Sequence, residues 1–250
     1  SRLAHISTMT KKTQAKSEDN ILLLGFPGGG LVGIFTISYL IPQLKMTQIG
    51  EIEHPDILPA LFVENGELYG PIRIYKKDNL YAILSDVPFD LDLGYSFAES
   101  IIEFAKKNHI KKIIIPSGME STNKDPKTPK VYGLVTHQNL DSLLYQNDIP
   151  KFLSGTIIGT DAAMAVTFRK SNIPVALLYA ECHPFFPDPE AALHAITVIA
   201  KILKFKIDTT DIKNRIEYLR IQNRKLMEET LNALQMQPET KQVPVPHIYR

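Results

Sequence analysis

The sequence predicts a three-layer α/β domain with a mostly parallel central sheet. Three observations carry this expectation. Short, continuous apolar runs of the kind buried strands need recur along the chain. Segments with apolar residues at helical spacing lie between them. A glycine-rich turn follows the first run, where a strand would pass into a helix.

The elements follow in order. ILLLGF (Ile21–Phe26) is entered from polar residues and left through glycines, so it reads as a buried strand. Leu31–Ile41 reads as a helix stopped near Pro42, which has no N–H to continue it. Ala60–Glu64, Leu68–Tyr75 and Leu80–Asp86 are rich in β-branched and aromatic residues. Asn65-Gly66 is a hairpin signal between the first two, and Lys76–Asn79 is a second turn. These three strands are expected to form an antiparallel insert that widens the sheet. Ser96–His109 puts Phe97, Ile101, Phe104 and Ala105 on one helical face. Lys111–Gly118 is another buried strand, Ser121–Lys130 a polar loop, Val131–His137 a strand and Gln138–Asn147 a short helix. Asp161–Lys170 is an alanine-rich helix, and Ile173–Glu181 is a strong buried strand. Pro187–Phe205 is a helix with acidic residues at its start, where the helix dipole favours them.

The organisation is then a disordered N-terminal arm over residues 1–19, an α/β domain over 20–210, an amphipathic helix over 211–236 and a flexible tail over 237–250. Met9 is a candidate start, which would make Ser1–Thr8 a cloning remnant. Asp211–Gln235 carries a narrow apolar stripe: Ile212, Ile216, Leu219, Leu226 or Met227, Leu231 and Leu234. It suits a helix lying on its own domain, or a helix–helix contact between subunits in which Asn223 would fix register. The proline-spaced tail is extended and semi-rigid.

Composition limits the function. The formal net charge is +1, so no global basic field exists to hold nucleic acid or an anionic membrane. The hydrophobic and charged fractions, 44% and 22%, are those of a chain that folds around a packed core. A single cysteine, Cys182, rules out a disulfide within the chain and fits a reducing cytosol or a protein indifferent to redox state. No apolar run reaches the ~18 residues of a transmembrane helix.

GFPGGGLVG (Gly25–Gly33) is the first candidate for chemistry. Gly28, Gly30 and Gly33 satisfy G-x-G-x-x-G, and with Gly29 they offer a loop that could hold a phosphate or a nucleotide at a helix N-terminus. Glu51 and Glu53 sit near the distance of a ribose-binding acid. Pro27 removes one donor, however, and the polar EIEHPD gives no second βαβ strand. The other reading is that these glycines allow close helix–strand packing or a subunit contact. Asp86, Asp90 and Asp92 lack the ligand offsets of a calcium loop, and Asp90 or Asp92 is expected to cap the helix that follows. Glu181, Cys182 and His183 are adjacent, but neighbours on a strand point to opposite faces, so Cys182 and His183 cannot form a dyad. No metal ligand spacing, P-loop or serine-hydrolase elbow is present. The expectation is no enzyme, no cofactor and no metal.

The last candidate is the end of the chain. Ile248, Tyr249 and Arg250 read hydrophobic–tyrosine–any residue at the end of QVPVPHIYR. Such an end suits a plug. Ile248 gives area to bury, Tyr249 a rigid ring with a polar tip, and the terminal carboxylate a charge that a lysine or a backbone nest can capture.

This tail resembles the docking motif of proteasome activators. With ILLLGFPGGGLVG, SDVPF, IIIPSGM, VYGLVTH, GTIIGT and PDPEAA, in that order from about Asn20 to Phe205, the chain resembles the archaeal proteasome assembly chaperone family. The ordered set carries the resemblance rather than any one motif. Gly29 departs from the pattern, standing where a small aliphatic residue is expected. The resemblance implies a phosphorylase-like fold, homo-oligomeric assembly and ATP-independent binding to α-subunits of the proteasome core particle. Ile248, Tyr249 and the Arg250 carboxylate would enter an inter-subunit pocket. The competing expectation is a nucleoside- or nucleotide-binding enzyme on the same scaffold, using the Gly28–Gly33 loop.

Overall fold

The computed structural model describes residues 5–8, 19–57, 59–120, 131–183, 185–222 and 228. The chain opens with β1 (His5–Thr8) and β2 (Asn20–Gly25), followed by α1 (Val32–Gln43) and β3 (Thr47–Glu53). A short hairpin, β4 (Phe62–Glu64) and β5 (Glu67–Tyr69), leads into β6 (Ile72–Lys77) and β7 (Leu80–Ser85). Then come α2 (Leu91–Lys107), β8 (Ile110–Glu120), β9 (Val131–Val135) and α3 (Asp141–Gln146). α4 (Thr160–Arg169), β10 (Val175–Cys182), α5 (Pro189–Leu203) and α6 (Thr209–Gln222) complete the described chain.

Among the described residues, eight strands form one sheet in the order β1-β3-β6-β7-β2-β8-β10-β9. β7, β2, β8 and β10 lie side by side and parallel. β6, β3 and β1 extend this centre antiparallel on one flank, and β9 does so on the other. The parallel strands are apolar on both faces because helices cover both. Leu22, Leu24, Ile113, Ile115 and Leu177 face α2 and α4. Leu23, Ile114, Leu178 and Ala180 face α1, α5 and Ile212 of α6. This is the three-layer architecture expected from the sequence, with its parallel centre and antiparallel insert.

Several local expectations are corrected. The arm expected to be disordered contains β1, whose Ile6 lies opposite Ile52 and packs on the core. It covers the edge that β3 would otherwise leave unpaired. EIEHPD, taken as too polar for a strand, supplies the end of β3. Being near the sheet edge, β3 needs little apolar burial on its outer face. The expected Leu68–Tyr75 strand is two strands, broken at Gly70-Pro71, and β4–β5 forms a separate two-stranded sheet. α1 runs through Pro42, which sits in its last turn, so the one hydrogen bond its missing N–H removes is lost at the end of the helix rather than in its interior. α2 starts earlier than its apolar periodicity suggested, because Asp90 caps it: the carboxylate accepts from the Leu93 N–H at 2.8 Å. Ile212 of α6 is fully buried on the domain. Asn223, Leu226, Met227, Leu231 and Leu234 of the expected stripe lie outside the described residues.

Candidate functional site

The parallel strands all end at one pole of the sheet. α1 leaves β2 toward one face, while α2 leaves β7 toward the other. The neighbouring ends of β7 and β2 therefore form a topological switch point, the usual ligand crevice of an α/β sheet. The glycine loop lies there, so the sequence placed it correctly.

The loop is filled by its own protein. Gly29, Gly30 and Gly33 are buried. A Cβ on Gly33 would stand 2.9 Å from the Pro116 carbonyl oxygen. One on Gly30, whose φ is +61°, would stand 3.1 Å from the Cys182 sulfur. The Gly30 carbonyl accepts from the Asp188 N–H at 2.9 Å, tying the loop to the start of α5. From the opposite side, a Cβ on Gly118 of β8 would stand 2.1 Å from the Gly29 carbonyl oxygen. The glycines let β2, β8, β10 and the start of α5 approach one another closely, as the packing reading expects. Gly28 differs: a Cβ there would meet only the Ser117 hydroxyl, at 3.7 Å. β3, which carries Glu51 and Glu53, is two strands removed from β2, with β6 and β7 between them. Neither acid stands at the ribose position of a dinucleotide fold. Glu51 instead accepts from the Gly70 N–H at 2.8 Å.

Beneath the pole lies a cluster that no spacing in the sequence announced. Asp161, in the first turn of α4, is 2% exposed. Its Oδ2 accepts from the Ser117 hydroxyl at 2.9 Å and from the Tyr179 hydroxyl at 3.0 Å. Ser117 and Tyr179 face each other across the β8–β10 ladder. Burial raises the Asp161 carboxyl above its ordinary value, and the two hydrogen bonds partly oppose this. Burial and the neighbouring Asp161 push the Tyr179 phenol well above its ordinary range. The group ties α4 to two central strands. Its hydroxyls both donate to one carboxylate oxygen, and both Ser117 and Tyr179 are buried.

Most of the remaining candidates have structural partners. Asp86 pairs with Arg73 at 2.5 Å, and burial raises its carboxyl in spite of the guanidinium. Asp92 lies in the first turn of α2. Cys182 is buried, and burial, then Asp188 and Glu120, drive its thiol far up, away from the reactive thiolate. The His183 N–H donates to Asp188 Oδ2 at 2.8 Å, and the other oxygen of Asp188 caps α5. Among the described residues, no group of His, Cys, Asp and Glu could hold a metal ion. No helix among them is long and apolar enough to cross a membrane. Ile248, Tyr249 and Arg250 lie outside the described residues.

Comparison with known proteins gives the family. The model of the PAC2 family matches residues 22–227, and the chain belongs to this family. An uncharacterised protein of Methanocaldococcus jannaschii is 25% identical over 228 residues, 90% of this chain and 92% of that protein. Two Pyrococcus furiosus crystal structures share the fold. PbaA, described as an archaeal homolog of proteasome-assembly chaperone, aligns with a TM-score of 0.79 at 22% identity, over 90% of this chain and 97% of its own. PbaB, described as an archaeal proteasome activator, aligns with a TM-score of 0.69 at 20% identity, over 90% of this chain and 99% of its own.

Proposed function

We propose that this PAC2-family chain is a cytoplasmic, non-enzymatic, homo-oligomeric partner of the proteasome core particle. It binds without ATP, inserting Ile248, Tyr249 and the Arg250 carboxylate between α-subunits. It acts as an assembly chaperone and, where the tail reaches a completed ring, as an activator. The observation that carries this reading is the Ile-Tyr-Arg end on a chain of this family. Two proteins that share the fold, PbaA and PbaB, carry proteasome-related descriptions, which supports it.

The physical case rests on valence. One tail buries an isoleucine and a tyrosine and pairs one carboxylate, which makes a weak contact. Several tails on one assembly raise the effective concentration, and avidity can exceed single-tail affinity by ~10²–10⁴. From Leu234 the tail reaches up to ~50 Å when extended, so it tolerates a mismatch between its own symmetry and that of the ring. The buried glycine loop and the hydrogen-bonded Asp161 cluster favour a rigid scaffold over the enzyme alternative.

The test is binding of the purified chain to its cognate core particle, with and without residues 248–250. The reading expects binding to be lost on truncation. Equal binding by both forms would move the contact to the body of the protein and overturn the docking role of the tail.

A further inference from the structure

We propose that the outer edge of β3 is an acceptor for an extended peptide of another protein, one with a branched aliphatic residue between two basic residues. In this structure β1 holds that edge and shows how such a strand lies on it. The inference goes beyond the core-particle reading and does not depend on it.

β1 pairs antiparallel with β3: His5 stands opposite Glu53, Ile6 opposite Ile52, Ser7 opposite Glu51 and Thr8 opposite Gly50. The β3 edge supplies the ladder, and α2 lies against β1. Ile6 is half-buried and packs on the core that includes Ile52 of β3 and Phe97 and Ile101 of α2. The domain therefore builds an apolar seat for one side chain of an added strand. In strand addition the main-chain hydrogen bonds give affinity, and seats for alternate side chains give specificity. The window is short. A bulge at Gln48–Gly50 interrupts β3 before it, and Pro55 offers no N–H beyond it.

The chain connection does little to hold β1 in place. β3, β6 and β7 lie between β1 and β2 in the sheet, a span of roughly 19 Å at the usual strand spacing. Residues 9–19, which join the two strands, can reach up to ~40 Å. The link is longer than the span requires, so the short ladder and the one apolar anchor carry the pairing. An edge held this way is open to a competing strand.

β3 sets the chemistry of that competitor. Glu51 and Glu53 flank Ile52 and share the face opposite to it, as alternate residues on a strand do. Glu53 is exposed. Glu51 accepts from the Gly70 N–H and the Gln48 amide, neutral donors that leave its charge in place. On the inner side of β3, Glu51 stands opposite Arg73, whose guanidinium pairs with Asp86. Basic residues opposite Glu51 and Glu53 would form cross-strand ion pairs, each worth about 1.4- to 5-fold in affinity. β1 has Ser7 and His5 at those two positions, so a strand with lysine at both competes better.

The test uses fluorescein-labelled peptides of residues 3–10 and the full chain carrying Ile6→Asp, which removes the apolar anchor of β1. Fluorescence anisotropy should show the native peptide binding this variant. A peptide with His5→Lys and Ser7→Lys should bind about 2- to 25-fold more tightly, and a peptide with Ile6→Asp not at all. The lysine gain should vanish at ~1 M salt and shrink when the chain also carries Glu53→Gln. The wild-type chain, whose tethered β1 competes at an effective concentration of about 1 mM, should bind the lysine peptide about tenfold more weakly than the variant does. No binding of either peptide to a variant with native circular dichroism would overturn the proposal. Equal or tighter binding of the native peptide would overturn it too, in favour of β1 from a second copy as the occupant. A second measurement needs no substitution. In the wild type, the β3 amides bonded to β1 should exchange hydrogen by local opening, much faster than those of β2 and β8. Equal protection would make β1 a fixed part of the sheet and overturn the proposal.

Discussion

Gly118→Ala is the sharpest perturbation of the packing account. The new methyl would lie 2.1 Å from the Gly29 carbonyl oxygen and 2.6 Å from the Cys182 sulfur. Ordinary contact begins near 3.4 Å, so a neighbour must give way by more than an ångström. One neighbour is backbone, held by β8 on one side and by α5 on the other through Gly30 and Asp188. Overpacking costs about 1–3 kcal/mol, and two unyielding contacts place this change at the upper end. Alanine recovers about 0.4–1 kcal/mol by restricting the unfolded chain, which leaves a net loss of about 2 kcal/mol. For a domain of this size that lowers Tm by about 4–8 °C. Gly28→Ala meets only the Ser117 hydroxyl at ordinary distance and should stay within about 0.5 kcal/mol of the wild type. Urea unfolding of both variants, with equal m-values, gives the comparison. If Gly118→Ala is neutral, or if Gly28→Ala is the more damaging of the two, the glycine loop is not the packing device described and the reasoning fails.

Three further outcomes follow from the same structure. Asp161 has a raised carboxyl pKa, so between its unfolded value of 3.8 and its higher folded value the native state holds more protons. Stability from this group therefore falls as pH rises through that window; Asp161→Asn should remove that slope, which denaturation at a series of pH values would show. Arg73→Ala leaves the Asp86 carboxylate buried without its cation and should cost about 3 kcal/mol by urea unfolding, whereas loss of an exposed pair such as Lys151–Asp141 should cost under about 1 kcal/mol. Cys182 should resist alkylation by iodoacetamide in the native protein and react at once in denaturant, as mass spectrometry would record.

The central strands were legible because burial on both faces writes a continuous apolar run. ILLLG, KKIIIPSG and PVALLYAE each became β2, β8 or β10 with small changes at their ends. β1 and β3 were not legible. They lie at a sheet edge, where polar residues such as Glu51 and Glu53 are tolerated and pairing is decided by a distant partner. The hairpin turn at Asn65-Gly66 was legible, with both residues at positive φ. Its separation from the main sheet was not, since that depends on the Gly70–Glu51 contact across the fold. The glycine motif located the switch point, but only three-dimensional packing distinguished a filled loop from an open one. Asp161, Ser117 and Tyr179 come from three different elements; the β8–β10 register sets Ser117 opposite Tyr179, and the packing of α4 brings Asp161 to them. The Asp161 position did offer one signal, an acid opening an alanine-rich helix. That signal says helix start and nothing about burial.

The central claim concerns the tail, and one titration tests it most directly. Core particle is titrated with the intact chain and with Tyr249→Ala, and peptide hydrolysis is followed in the same samples. The account predicts saturable binding by the intact chain and its collapse in Tyr249→Ala, with any rise in hydrolysis lost in parallel. Equal affinity for the two chains, or binding by neither, would contradict it.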